Sequence, residues 1–142
     1  MKFNQLLNNA WSLIDAVGGR MPRVAYFEIT AEKPEQAVKF YEKVFGWKIV
    51  KWKGPIDHWL ITTGGEDEPG IDGGLGRRTE SIPNQVNYVV VSSIDEFINK
   101  VKDNGGTIVT PKQPIPTVGY YAFFKDPEDN TFGLMEYDKS AQ

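Results

Sequence analysis

The chain of 142 residues contains no cysteine and a single histidine, His58. Without cysteine it can form neither disulfides nor thiolate metal sites, and it has no thiol nucleophile. One imidazole also excludes any catalytic or metal-binding arrangement that needs two histidines from one chain. No apolar run approaches the roughly twenty residues of a membrane span, and the N-terminus lacks the uninterrupted apolar segment of a signal peptide. We therefore predict a cytoplasmic protein without a membrane partner.

Charge of one sign is not in large excess either. The chain has 16 basic and 19 acidic residues and a formal net charge of -3. Because no positive field is present to gather phosphates, we expect no nucleic-acid partner. What the chain does contain is 40% hydrophobic and 13% aromatic residues, a composition typical of a folded protein, and its length fits one ordinary domain.

The first part of the chain has apolar residues at helical spacing. They occur within residues 3–17 and are followed by two glycines at 18 and 19, which provide a stop. This pattern predicts an amphipathic helix in an N-terminal extension spanning residues 1–22. We expect its apolar face to cover the core or a subunit interface.

After this extension, one order of elements occurs twice. Each half reads as a strand, a helix and three further strands, and the second half follows the first by about sixty residues. In the first half, a proline at position 34 opens the helix and a glycine at position 46 ends it. In the second half, Ser92 or Ser93 can cap the helix. We predict an α+β fold of two βαβββ modules, at 23–78 and 85–142, joined by a polar linker at 79–84.

Two segments resemble the vicinal oxygen chelate superfamily, to which glyoxalase I, bleomycin-resistance proteins and extradiol dioxygenases belong. They are FYEKVFGW at 40–47 and FKDPEDNTFGLME at 124–136, and the resemblance extends over residues 23–138. It implies one compact domain in which the modules form a curved mixed sheet, a half-barrel around a cavity. Relatives often complete their cavities across a two-fold interface, so the resemblance also implies a homodimer.

The resemblance further implies a divalent metal held by the first and last strand of each module, through His, Gln or Glu. In this chain those positions carry Tyr26, Gly74, Val86 and Gly133, or Gly73 instead of Gly74 if the register shifts by one residue. Three of them offer no donor, and a phenol with a pKa near 10 is a poor ligand. We therefore expect no cofactor, and no metal at the usual positions.

Glu28 is the main candidate for chemistry without a metal. Strand alternation places it with Tyr26 and Thr30 on the cavity side. A carboxylate there needs a partner or a proton, because an unpaired buried charge costs several kcal/mol. Tyr88 and Arg78 are the candidate partners. The alternative for Glu28 is a solvent-exposed strand end or a fixed ion pair.

Other side chains are weaker candidates. His58 precedes the apolar part of its strand, so we interpret it as a surface or rim residue, with general-base catalysis as the alternative. Aromatic rings could stack on a flat ligand, and Met135 shares a face with Gly133. The predicted ligand-binding residues are Tyr26, Glu28, Trp59, Arg78, Tyr88, Tyr120 and Met135.

Three hypotheses for function remain. The first is a glyoxalase- or bleomycin-resistance-like protein that binds a small apolar or aromatic molecule in the cavity without metal. The second is a lyase, isomerase or dioxygenase, either using a metal through non-standard ligands or metal-free with Glu28 as general base. The third is a structural or partner-binding subunit whose own aromatic side chains fill the cavity. The sequence does not decide whether the chain is an enzyme.

Overall fold

The computed structural model describes residues 22–142, so the helix predicted at 3–17 and most of the 1–22 extension lie outside the described residues. Within the described part, the chain forms eight strands and two helices. They are β1 (Arg23–Ala31), α1 (Pro34–Phe45), β2 (Lys48–Lys51), β3 (His58–Thr62), β4 (Gly73–Arg77), β5 (Gln85–Val90), α2 (Ile94–Asp103), β6 (Thr107–Ile115), β7 (Gly119–Lys125) and β8 (Thr131–Tyr137). The predicted α+β class, with its doubled βαβββ order, is confirmed.

The predicted helix boundaries are also found. Pro34 lies at the start of α1, and Gly46 ends it with a left-handed backbone at φ 69°, which glycine adopts without strain. At the start of α2 the Ser93 hydroxyl accepts a hydrogen bond from the Glu96 amide. Ser93, rather than Ser92, is therefore the capping residue.

Residues Ala25–Asn87 form one compact unit, which we call the first unit. Its strand order is β2-β3-β4-β1, with β1 parallel to β4 and the other pairs antiparallel. One face of this sheet packs against α1. The core there consists of Trp59, Ile61 and Leu75, against which Phe27, Ala31, Ala37, Val38 and Tyr41 pack.

Residues Tyr88–Gln142 belong to the second unit. Its strand order is β5-β8-β7-β6, with β5 parallel to β8. One face packs against α2, where the core consists of Val91, Ile94, Ala122 and Leu134. The compact units divide inside β5, whereas the modules were predicted to divide at 79–84, so that division stays a prediction.

Because side chains alternate along a strand, each unit has a second sheet face, on the side opposite its helix. In the first unit the α1 side carries Phe27, Trp59 and Leu75, so Tyr26, His58 and Gly74 lie on the other face. No helix within residues 22–142 is long and apolar enough to cross a membrane.

Candidate functional site

Three polar side chains meet on the face of the first unit opposite α1. The Tyr26 hydroxyl lies 3.1 Å from His58 Nε2, and His58 Nδ1 lies 3.7 Å from Glu28 Oε1. The His58 and Glu28 side chains are only 16% and 12% exposed. We call Tyr26, His58 and Glu28 the polar cluster. It is the candidate site because it combines a phenol, an imidazole and a carboxyl group within hydrogen-bonding or near hydrogen-bonding reach.

Strand register brings these side chains together. Glu28 on β1 is paired with Gly74 on β4, and His58 on β3 is paired with Gly76. Tyr26 and Glu28 are two residues apart, so they project on the same side. The central strand β4 thus passes between the phenol and carboxyl group on one side and the imidazole on the other.

Two glycines of β4 leave the room that the polar cluster occupies. A Cβ atom added at Gly74 would overlap both the Tyr26 hydroxyl and the His58 ring. A Cβ atom at Gly76 would lie 3.4 Å from Glu28 Oε1 and 3.5 Å from His58 Nδ1, which is ordinary contact. At Gly73 it would instead meet Phe27, on the α1 side. Gly74, not Gly73, therefore shares the face of Tyr26.

The His58 ring is uncharged at neutral pH. Burial lowers its pKa from 6.5 to about 4, because the protonated ring would lose hydration. The sequence was interpreted as placing His58 at the surface or rim, and the structure leaves its side chain only 16% exposed. The strand begins at His58 itself, and its first side chain points onto the sheet face instead of into the preceding turn.

Trp59 does not join the polar cluster. It follows His58 on β3 and consequently points to the opposite face, where it is 5% exposed in the α1 core. The Lys51 ammonium lies 5.2 Å from the centre of its ring. Trp59 was predicted as a ligand-binding residue; the structure places it away from the polar cluster, because two neighbouring residues of a strand point to opposite faces, and its binding role stays a prediction.

Arg78 and Thr30 lie at the end of the same strand pair. The Arg78 guanidinium donates to the Thr30 carbonyl oxygen at 2.9 Å. The Thr30 side chain is 2% exposed, and its hydroxyl donates to the carbonyl oxygens of Pro83 and Asn84. The strand register instead places His58 next to Glu28, a pairing that the sequence did not suggest.

The second unit carries an aromatic cluster on its face opposite α2. Tyr88 is 5% exposed and Phe123 is 2% exposed, with ring centres 5.8 Å apart, and Tyr121 lies 5.6 Å from Phe123. Met135, paired with Tyr121, is also buried. Tyr88 and Met135, two of the predicted ligand-binding residues, therefore share one apolar face, and their binding roles stay predictions.

Tyr120 was predicted as a ligand-binding residue, but it does not belong to this aromatic cluster. It packs against the α2 core, and the Lys112 ammonium lies 4.3 Å from its ring centre. Tyr121 and Phe123, which are not among the predicted ligand-binding residues, occupy the face with Met135 instead. Their position follows from the pairing of Phe123 with Gly133 and of Tyr121 with Met135, a register that the structure supplies.

The four positions carried over from the family pattern do not match the donor set of a divalent ion. Val86 is 4% exposed and apolar. At Gly133 a Cβ atom would overlap the Tyr88 ring, and at Gly74 the space is taken by Tyr26 and His58. Within residues 22–142, no group of three or more His, Asp or Glu side chains is arranged to hold a metal ion.

A surface groove lies elsewhere in the first unit, along α1. It has a volume of about 340 Å³ and is lined by Lys33, Gln36, Ala37, Phe40 and Tyr41. Three apolar side chains of α1 are exposed, namely Phe40 at 55%, Val44 at 54% and Phe45 at 58%. The residues that line this groove include neither an imidazole nor a carboxyl group, so we do not assign the site to it.

Sequence comparison identifies relatives over most of the chain. The family model of the Glyoxalase/Bleomycin resistance protein/Dioxygenase superfamily matches residues 23–134. A glyoxylase-like domain-containing protein of Didymella fabae is 30% identical over 122 residues, covering 79% of this chain and 91% of that protein. The Mycobacterium bovis protein CFP32, provisionally named a glyoxylase, is 26% identical over 111 residues. The match covers 77% of this chain but only 42% of CFP32.

Solved structures with the same fold are more distant in sequence. The hypothetical protein BH1468 of Bacillus halodurans C-125 superposes with a TM-score of 0.63 at 15% identity, covering 87% of this chain and 99% of that one. The methylmalonyl-CoA epimerase of Mycobacterium tuberculosis has a TM-score of 0.57 at 15% identity, covering 87% and 95%. At these identities the likeness shows the fold alone.

Proposed function

Because the chain belongs to the Glyoxalase/Bleomycin resistance protein/Dioxygenase superfamily, we propose that it binds a small apolar or aromatic molecule without the metal of its relatives. The ligand lies against the face of the first unit opposite α1 and contacts the polar cluster. The observation that carries this proposal is the filling of the space over Gly74 by Tyr26 and His58. A metal-binding carboxylate at that position would overlap both side chains.

The proposal is tested first by metal content. The protein is incubated with Mn²⁺, Ni²⁺ or Zn²⁺, desalted and analysed by inductively coupled plasma mass spectrometry. We expect well under one equivalent of each metal per chain. One equivalent per chain that is lost in a Tyr26→Ala variant would overturn the metal-free part of the proposal.

The second test is ligand binding in the presence of a chelator. A library of small aromatic molecules is screened by NMR with 1 mM EDTA, and hits are titrated. His58→Asn is expected to weaken binding, because it removes the ring that spans the cluster. The matched control is Asp57→Asn, since Asp57 is the preceding residue and pairs with Lys51 and Arg77 on the surface. Equal weakening by both variants would contradict the assignment of the site.

A second candidate function is metal-free catalysis with Glu28 as general base. It is favoured by the low exposure of the Glu28 carboxyl group and its position 3.7 Å from an uncharged imidazole. Such a group could remove a proton from a bound substrate, as an isomerase or lyase requires. A metabolite screen that finds no turnover, or turnover that persists in Glu28→Gln, would contradict this candidate.

The same proposal includes a homodimer and a cytoplasmic location. The exposed apolar side chains of α1 support the dimer, because a helix on a protein surface usually presents polar residues to water. The location is checked by cell fractionation, in which the protein should accompany a cytoplasmic marker.

A further inference from the structure

We propose that the Glu28 carboxylate fixes the direction of hydrogen bonding through His58, so that Tyr26 presents only an acceptor to the ligand. The site then selects aromatic molecules that carry a hydroxyl or N–H donor over analogues that carry only acceptors. This inference rests on the proposed function, since it names the class of ligand that the same site takes. Glu28 is thereby a specificity-determining residue that acts through two others.

The first step concerns the imidazole. With its pKa near 4, the ring is neutral at pH 7 and carries one N–H, on either Nδ1 or Nε2. A glutamate carboxyl group is ordinarily ionised at neutral pH and then only accepts hydrogen bonds. Glu28 Oε1 lies 3.7 Å from Nδ1, so with Glu28 ionised, as the proposal requires, a lone pair on Nδ1 would face a negative oxygen, whereas an N–H there is attracted to it. Glu28 therefore favours the Nδ1–H tautomer.

The second step concerns the phenol. In the Nδ1–H tautomer, Nε2 carries a lone pair and can only accept, and the Tyr26 oxygen lies 3.1 Å away. The Tyr26 hydroxyl therefore donates its single proton to Nε2. A phenol oxygen that already donates its proton to Nε2 can only accept a hydrogen bond from any further group.

A hydrogen bond donated by His58 Nε2 to the Tyr26 oxygen would require the Nε2–H tautomer. Tyr26 could then donate to a ligand carbonyl or ether oxygen, but the Nδ1 lone pair would face Glu28. A ligand that offers only acceptors therefore binds at the cost of this repulsion or leaves its own oxygen unpaired against Tyr26. Either penalty lowers its affinity relative to a donor ligand of the same shape.

The tautomer can be measured without any ligand. His58 is the only histidine, so ¹⁵N-histidine labelling of tag-free protein gives one unambiguous pair of ring nitrogens. At pH 7 we expect a protonated Nδ1 and an unprotonated Nε2 in the wild type, in Tyr26→Phe and in Glu28→Asp. In Glu28→Gln the Nε2–H form should gain population, because the amide can either donate or accept.

The inference is overturned if the wild type holds the Nε2–H tautomer. It is also overturned if Tyr26→Phe changes the tautomer while Glu28→Gln does not, since Tyr26 would then set the direction. Glu28→Asp provides the carboxylate control if Glu28→Gln fails to fold.

A second experiment tests the ligand selectivity by comparing phenol with anisole, in which a methyl group replaces the hydroxyl proton. We expect the wild type to bind phenol roughly tenfold more tightly, and the ratio to approach one in Glu28→Gln. Equal affinities in the wild type, with the Nδ1–H tautomer present, would overturn the selectivity. Failure of both probes and of the aromatic library to bind would overturn the proposed function. The tautomer measurement needs no ligand, so it tests the role of Glu28 independently of that outcome.

Discussion

At the scale of single residues, His58 has the environment that differs most from its sequence-based interpretation. From the sequence it is one imidazole beside a turn. In the fold the His58 ring on β3 contacts Tyr26, 32 positions away on β1, and lies near Glu28, which is also on β1. Burial causes the low pKa of His58, because the protonated ring would lose its hydration on this face.

This burial makes stability depend on pH in a defined direction. In the unfolded chain the imidazole titrates near 6.5, and in the folded chain near 4. Between these values the unfolded state binds more protons, so the free energy of unfolding increases with pH, by up to about 1.4 kcal/mol per pH unit from this group. We expect the contribution to be complete above pH 6.5 and to disappear as the pH falls to about 4.

The measurement is urea unfolding of wild type and His58→Asn between pH 4 and pH 7.5. Carboxyl groups titrate in both proteins, so the difference between the two curves isolates the imidazole. The difference should widen in favour of the wild type as the pH rises. Parallel curves, or a ¹⁵N titration midpoint of His58 near 6.5, would show that the ring is not buried in this way.

At the scale of elements, β4 is the strand that gives the site its shape. Four of its five residues are buried, and three of them are glycine. Leu75 points to the α1 core, while Gly74 and Gly76 lie beneath the polar cluster. Because these two glycines have no side chains, the space above them holds Tyr26 and Glu28 from β1 and His58 from β3.

Two alanine substitutions in β4 separate this steric role from general strand effects. Gly74→Ala should lower the free energy of unfolding by about 1–3 kcal/mol, because the new methyl group forces Tyr26 or His58 to move. Gly76→Ala should remain within about 1 kcal/mol of wild type, since its methyl group meets only ordinary contacts. Urea unfolding measures both, and similar losses in the two variants would refute the overlap at Gly74.

At the scale of the whole molecule, the proposed homodimer can be tested at the exposed apolar side chains of α1. We expect sedimentation velocity at micromolar concentration to give twice the 16.0 kDa mass of the chain. Replacing Phe40 and Phe45 together by serine should shift the protein to monomer. The control is Val109→Ser on β6, which is 47% exposed and should leave the mass unchanged. A monomeric wild type would contradict the dimer.

The fold was predictable because its pattern is local. Alternation and helix-ending glycines gave the elements, and the doubled order gave the two βαβββ modules. The site was only partly predictable, because its contacts depend on which strands pair and in what register. An error of one residue separates Tyr120 from Tyr121 and Trp59 from His58, and each error moves a ring to the other face of a sheet. The shared face of Tyr26 and Glu28, and that of Met135 and Gly133, followed from strand parity, whereas the binding roles of these residues stay predictions.

The shared volume over Gly74 also limits how this protein can change by mutation. Tyr26, His58 and residue 74 occupy one space, so the effect of a side chain at any one of these positions depends on the other two. A glutamate introduced at position 74 would find a site already filled, and a smaller residue at position 26 or 58 would leave a gap while position 74 is still glycine. Introducing a larger side chain at position 74 would consequently require compensating substitutions at position 26, position 58 or both. The missing side chain at Gly74 thus makes three positions on three different strands dependent on one another in sequence.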